Sequence, residues 1–169
     1  MLAPPPARAA LMDRAAEVIR DEMNSIEQIN GAEKLTAVFG CWPTFHDAEV
    51  VWIRLDRGGT DLGPSPTLEA LVHAFEMTDQ VDAAGFYLLR NHVLAHLRFS
   101  SVGALKLDDF NQQNVLWGLT ISNLDSSGAE AVFQVEFEPS WGVGVTFQCK
   151  AIAVVSVQLC DKEGKAQTD

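Results

Sequence analysis

The spacing of apolar residues changes near residue 48 and divides the chain into a helical part and an extended part. Before that point the spacing is helical, and it predicts an amphipathic helix over Ala9–Met23 and a shorter one over Ala32–Phe39. Gly40 suits the position after the second helix, because glycine readily adopts the left-handed conformation found there. From Ala48 onward apolar and polar residues alternate, which is typical of strands with one buried face.

The alternating region predicts six strands separated by short turns, an arrangement that favours antiparallel pairing. The predicted strands are 48–56, 67–78, 86–102, 115–124, 131–138 and 143–159. The last would span roughly 58 Å at about 3.4 Å per residue, which is longer than strands usually are, so a bend is expected over Cys149–Ala153. Asn91 marks a bend in the third strand, and Leu107–Asn114 is predicted as a helical turn capped by Asp108.

These elements predict an α+β fold, with N-terminal helices packed on an antiparallel β-sheet of about six strands. The side chains of Val93, Ala95, Leu97 and Phe99 are expected on the core side. We expect Trp52, Trp117 and Trp141 to bury their aromatic area on or near strands. The predicted organisation is a tail and helix over 1–24, a single α+β domain over 25–160, and a charged C-terminal tail over 161–169.

Composition indicates which class of protein this is and which class of partner to expect. The 169 residues are 47% apolar and 21% charged, as in a folded globular domain. The net charge of −11 opposes direct nucleic-acid binding and favours a basic protein partner, although it also suits simple solubility. No apolar core of a secretory signal and no run of about 18 apolar residues is seen, so we expect no membrane partner. The three cysteines, odd in number and widely spaced, favour a reduced, cytoplasmic setting.

The histidines are the first candidates for chemistry. His92 and His96 share one face of a strand but lie about 13 Å apart at about 3.3 Å per residue, which is too far for one metal ion. More generally, the sheet is expected to spread the imidazoles apart. We therefore predict no metal and no cofactor. The alternative is a metal-dependent enzyme that uses His46, Asp47 and Glu49 together with His73.

A nucleophilic site is the second candidate, because Cys41, His46 and Asp47 lie within one segment. No nucleophile motif surrounds Cys41, so we expect it to be a small buried group and predict no catalytic residue. His46 and Asp47 then tie down the backbone where the first strand begins. Trp42 either closes the end of the sheet or is an exposed interface anchor.

Two segments of the chain form distinctive motifs. The first reads Phe39-Gly40-x-Trp42-Pro43-x-Phe45-His46-Asp47-Ala48-Glu49-Val50. The second follows the strand Leu97-Arg98-Phe99 and reads Phe110-Asn111-x-Gln113-Asn114-Val115-Leu116. With these motifs the chain resembles the bacterial polymorphic-toxin immunity proteins of family fifty, over about residues 35 to 158.

This resemblance implies a small cytoplasmic protein that binds and blocks a cognate toxin domain without catalysis. Many such toxin domains are basic nucleases, which agrees with the acidic charge of this chain. The motif residues Trp42, Pro43, Phe45, His46, Asp47 and Glu49 are interpreted as structural. Candidate partner-binding residues, chosen by charge alone, are Asp56, Glu69, Glu136 and Glu138. A His/Asp-based enzyme and a structural homo-oligomer are the alternative functions.

Overall fold

The structure is a computed structural model that describes residues 25–58, 65–124 and 132–167. The predicted helix Ala9–Met23 lies outside these residues. Residues 25–27 are helical and are followed by helix α1 (Glu33–Phe39). The strands are β1 (Glu49–Asp56), β2 (Thr67–Val81), β3 (Tyr87–Ser100), β4 (Gly103–Asp108), β5 (Val115–Leu124), β6 (Val132–Trp141), β7 (Gly144–Cys149) and β8 (Ala151–Leu159). In the described part of the chain, no helix combines the length and hydropathy needed to span a bilayer.

The strands form one antiparallel sheet in the order β4–β7–β6–β5–β1–β2–β3–β8. Strand β1 pairs along its length with β2 but meets β5 at the single residue pair Glu49 and Val115. The sheet therefore consists of two four-stranded layers. The chain passes between them at residues 101–102, which link β3 to β4, and at Lys150, which links β7 to β8. At this second crossing the Lys150 N–H donates to the carbonyl of Ser100 at 2.9 Å.

The core lies between the two layers. The ring of Phe99 on β3 packs edge-on against Phe147 on β7, with 4.9 Å between ring centroids, and lies 6.0 Å from Phe137 on β6. All three rings are fully buried, so aromatic area from both layers fills one interior. The prediction that Val93, Ala95, Leu97 and Phe99 face the core is confirmed.

The predicted fold class is wrong. The described residues are dominated by one eight-stranded sheet, and α1 is a single short helix beside it. The structure has two strands more than the six predicted, because β4 was not predicted and the last predicted strand forms both β7 and β8. Strand β4 was predicted in part as a helical turn, but it pairs with β7 from Gly103 to Asp108. The long terminal strand is interrupted at Lys150, as the predicted bend requires, and its two halves join opposite ends of the sheet.

The predicted helical turn over Leu107–Asn114 is also wrong. Asp109 has a positive φ of 54°, which a right-handed helical turn does not allow. The loop is instead closed by its own side chains, because the Asn111 N–H donates to Asn114 Oδ1 at 2.9 Å. Asparagine favours such local bonds to the backbone over helical ones.

Helix α1 ends as the sequence predicts. Gly40 has φ 79°, and its N–H donates to the carbonyl of Thr36 at 2.8 Å. The Leu35 side chain of the helix is fully buried. The helix therefore packs on the sheet through an apolar contact and stops where glycine allows the chain to turn.

The segment before α1 covers the exposed edge of β8. Asn30 exchanges backbone hydrogen bonds with Ile152 and Val154, at 3.0 and 2.8 Å. The Lys34 ammonium donates to the Val154 carbonyl at 2.8 Å. Gly31, at φ 78°, runs so close to the strand that an added Cβ would lie 2.7 Å from the same carbonyl. These contacts occupy backbone groups that would otherwise be open to another strand.

Strands β2 and β3 extend beyond their neighbours as a two-stranded ribbon (residues 76–90). Pairing of β1 with β2 stops at His73, and pairing of β8 with β3 begins at Val93. Asn91, at φ 55°, lies where the ribbon begins, which confirms the predicted bend. The ribbon carries large apolar side chains that are exposed: Met77, Val81, Phe86, Tyr87, Leu88 and Leu89.

Candidate functional site

The first motif segment holds the two layers together. Its backbone, from Thr44 to Val50, runs beside residues 114–119, and we call this junction the seam. Asp47 donates to the carbonyl of Leu116 at 3.0 Å, and the Leu116 N–H donates to Ala48 at 2.8 Å. Two further hydrogen bonds lie at the ends of the seam. The Val50 N–H donates to the Asn114 carbonyl, and the Leu119 N–H donates to the Thr44 carbonyl. The motif thus supplies the hydrogen bonds that continue the sheet past the short β1–β5 pairing.

The seam holds the backbone in an unusual conformation. Phe45 and Asp47 have φ values of 57° and 59°, which are uncommon for residues other than glycine. The Phe45 side chain is buried, and its ring packs edge-on against Trp42 at 5.8 Å between centroids. Burial of this ring and the bonds of the seam offset the cost of the left-handed conformation.

His46 contacts the opposite side of the seam. Its Nδ1 donates to the Trp117 carbonyl at 3.0 Å, and its ring packs edge-on against the Trp117 indole at 4.6 Å between centroids. The Asp47 carboxylate lies 3.7 Å from His46 Nε2, and both side chains are partly exposed. His46 and Asp47 together therefore hold β5 against the motif loop.

The second motif segment supports the seam through the buried side-chain amide of Asn114. Asn114 is 4% exposed, and its Oδ1 accepts from the N–H groups of Asn111 and Val143, at 2.9 and 3.2 Å. Its Nδ2 donates to the Asn111 carbonyl at 2.7 Å. A Cβ added to Gly142 would collide with the Gln113 carbonyl, so the chain passes too close here for any side chain. Asn114 thus joins the turn before β7 to the loop before β5.

The residues proposed for an alternative metal site do not converge. His46 and Asp47 are occupied at the seam, whereas Glu49 pairs across the strands with His73. Over residues 25–58, 65–124 and 132–167, no three histidine, cysteine, aspartate or glutamate side chains are grouped so that they could hold a metal ion. Cys41, expected to be buried, is exposed in the loop that follows Gly40.

The expectation that the imidazoles stay apart is wrong for one pair. His73 Nε2 and His92 Nδ1 are hydrogen-bonded at 3.1 Å, because the β2–β3 register shifts between Ala74 and Glu76. Burial lowers the pKa of His73, and His92 lowers it further. Burial also lowers the pKa of His92, against the opposing effect of nearby carboxylates. Burial therefore favours the neutral form of both imidazoles. His96, by contrast, bonds to Glu69 at 3.1 Å.

The four acidic residues chosen as candidate partner contacts lie in two separate places. Asp56 is exposed at the end of β1, and Glu69 is on the adjacent strand β2. Only 15% of the Glu69 side chain is exposed, and it accepts from Arg98 at 2.7 Å and from His96. Burial of Glu69 raises its pKa, but those two hydrogen bonds outweigh burial and lower it. Glu136 and Glu138 lie together on β6, and Glu138 accepts from the Thr120 hydroxyl at 2.8 Å. Contact of these residues with a partner stays a prediction.

A groove beside the seam was missed by the sequence reasoning. It has a volume of about 640 Å³ and lies between the motif loop and the outer side of β5 and β6. Trp117, expected to be buried, is 62% exposed and lines this groove. The β5–β6 register shifts on both sides of Leu116, which turns Trp117 outward while Leu119 stays in the core. Trp141 is likewise 65% exposed rather than buried. An alternating pattern carries no signal for such a bulge.

Comparison with known proteins gives one finding on the family. The model of a family described as Immunity protein 50 matches residues 31–160, which contain both motif segments and the whole of the sheet. No curated protein and no solved structure matches the chain.

Proposed function

We propose that this chain, which belongs to the immunity protein 50 family, binds and neutralises a cognate bacterial toxin domain without catalysing a reaction. The family match over residues 31–160 is the observation that carries the proposal. It agrees with the resemblance that the two motif segments showed. The proposed site of action is the cytoplasm, where a toxin domain would meet its target.

The charge of the chain supports a basic partner. The net charge of −11 would attract a positively charged domain and speed its approach. A nuclease toxin is such a domain, because it needs a positive surface to bind phosphates. An acidic protein that covers this surface would block the access of nucleic acid. The proposed partner is therefore a basic toxin domain, of which a nuclease is the leading example.

The geometry of the motif supports a binding role over a chemical one. His46 bonds to the backbone of β5, and Asp47 donates its own N–H across the seam. Both contacts join the loop that precedes β1 to strand β5, and this supports the structural role proposed for the two residues.

Neutralisation by binding and neutralisation by catalysis differ in stoichiometry. The test is to co-express the chain with the toxin domain that it is proposed to neutralise, and then to titrate the purified toxin with the purified protein. We expect the host to be protected and toxin activity to reach zero at about one equivalent. A catalytically inactive toxin variant should form the same complex in size-exclusion chromatography. Loss of activity at far less than one equivalent would overturn the non-enzymatic role, and no protection with no complex would overturn the proposal as a whole.

A further inference from the structure

We propose that the groove beside the seam receives an arginine side chain of the toxin domain. This inference rests on the proposed function, because it names the part of the surface that the toxin would contact. It adds both a location and a chemical identity for the contact. Neither follows from membership of the family.

The shape of the groove suits a side chain inserted from a partner. One wall is formed by Trp42 and Pro43 of the motif loop, and the other by Trp117 and Thr120 of β5. Its volume of about 640 Å³ lies within the range of about 300–1,000 Å³ that is usual for ligand pockets. The seam fixes both walls relative to each other, so the groove is already formed before a partner arrives.

The charge of the groove selects a cation. Glu27 and Glu138 line it, and none of the described lining residues is a lysine or an arginine. Glu138 accepts a neutral hydroxyl bond from Thr120, which leaves its negative charge without a cationic partner among the described residues. Glu136 lies two residues away on the same strand and is exposed. A positive group would thus gain charge-assisted hydrogen bonds that the free protein does not make.

Arginine fits this site better than lysine does. Its planar guanidinium group stacks on an indole face while its N–H groups bond to a carboxylate, and both partners are present as Trp117 and Glu138. A lysine ammonium is a compact, strongly hydrated charge that cannot stack in this way. The pairing of aromatic and acidic side chains therefore predicts a preference for arginine, in addition to a preference for positive charge.

The ribbon is another exposed apolar surface in the described part of the chain, and unlike the groove it carries a cation of its own, Arg90. Its carboxylate Glu76 is already paired with Arg90 at 2.6 Å and with Asn91 at 2.9 Å. Its large side chains, such as Phe86 and Tyr87, could pack against many apolar surfaces. The ribbon therefore serves as the internal comparison in the experiments below.

The first experiment uses acetyl-arginine amide as the probe and the full ¹⁵N-labelled chain. The four tryptophans give four indole N–H signals in a heteronuclear NMR spectrum. Titration should shift the signals of Trp42 and Trp117 and leave that of Trp52 in place. Acetyl-lysine amide should give smaller shifts, and uncharged acetyl-citrulline amide none.

Two charge-removing variants complete this test. Glu138→Gln keeps the acceptor for Thr120 but removes the charge, so it should weaken probe binding at least fivefold. Glu76→Gln removes one charge from the ribbon and should leave probe binding unchanged. Equal shifts with the arginine and citrulline probes, or equal weakening in the two variants, would overturn the inference.

The second experiment uses the toxin domain and separates the two proposals. Glu138→Gln and Trp117→Ala should each weaken toxin binding at least tenfold in calorimetry, while Glu76→Gln binds as the wild type does. If the wild type protects the host and both groove variants bind equally well, the groove inference fails and the proposed function stands. Loss of binding in Phe86→Ser alone would assign the contact to the ribbon. If the wild type itself does not bind, the proposed function fails.

Discussion

Replacing Asn114 by alanine tests whether the seam depends on a buried side chain. The amide makes three hydrogen bonds, two accepted from the backbone N–H groups of Asn111 and Val143 and one donated to the Asn111 carbonyl. Alanine removes all three bonds and leaves a small cavity. It also leaves the buried Val143 N–H without its acceptor, which is the costlier effect, because a desolvated donor recovers nothing from water.

The magnitude follows from these contacts. Each hydrogen bond contributes about 0.5–1.5 kcal/mol, so three contribute about 1.5–4.5 kcal/mol. We expect the free energy of unfolding to fall by about 3 kcal/mol. This is a large fraction of a typical free energy of unfolding of about 5–15 kcal/mol, so an equilibrium unfolding experiment should detect it.

Urea unfolding followed by tryptophan fluorescence measures the change. With a slope of about 1–3 kcal/mol per molar urea, the midpoint should fall by at least about 1 M. Asn111→Ala is the matched control, since its side chain makes two local bonds, at 3.1 and 2.9 Å, in an exposed loop. We expect that control to cost about 1 kcal/mol or less. An Asn114→Ala variant as stable as the control would refute the role of the buried amide.

Three further predictions concern protonation, backbone geometry and thiol reactivity. Burial lowers the pKa values of both His73 and His92 below the ordinary 6.5, so the unfolded chain binds protons more readily. The free energy of unfolding is then fully retained above pH 6.5 and falls below it, by at most about 1.4 kcal/mol per pH unit for each proton. A His73→Gln variant that loses as much stability as the wild type between pH 7 and 5 would contradict this. Gly31→Ala should lower the free energy of unfolding by about 1–3 kcal/mol, because residue 31 has a positive φ and the added Cβ would meet the Val154 carbonyl. An unchanged melting temperature would contradict this. Burial raises the pKa of Cys149 to about 12, so iodoacetamide should label exposed Cys41 in the folded protein but reach Cys149 only on unfolding, as mass spectrometry can check.

Periodicity was sufficient to predict the elements of the fold that alternate regularly. Strands β1, β2, β3, β5 and β6 all coincide with predicted alternating stretches, although β2 and β6 run three residues further, to Val81 and Trp141, and the core positions of β3 are as predicted. The special backbone positions Gly40 and Asn91 were also predictable, because residue type and left-handed geometry are linked. Strand β4 was not, since only four of its six residues, Leu105 to Asp108, alternate, and so short a run was assigned in part to the helical turn predicted after it.

The candidate site was less predictable because it depends on irregular pairing. A register shift turns Trp117 out into the groove, and another brings His73 and His92 together. Such bulges arise from contacts between strands that are distant in sequence, so a single-strand pattern does not contain them. The fold class failed for a related reason. No local pattern indicates that the two halves of the segment from residue 143 to residue 159 join opposite ends of one sheet.

The placement of β7 and β8 bears on how the protein is made. Among the described strands β4 has β7 as its one neighbour, and β8 closes the far end of the other layer. Neither layer is therefore complete until β7 and β8 have left the ribosome, and the apolar faces of the earlier strands stay exposed until then. We expect a nascent chain arrested before residue 144 to remain sensitive to protease, whereas the released chain becomes resistant. The seam would then be held between two finished layers only after β7 and β8 have been synthesised.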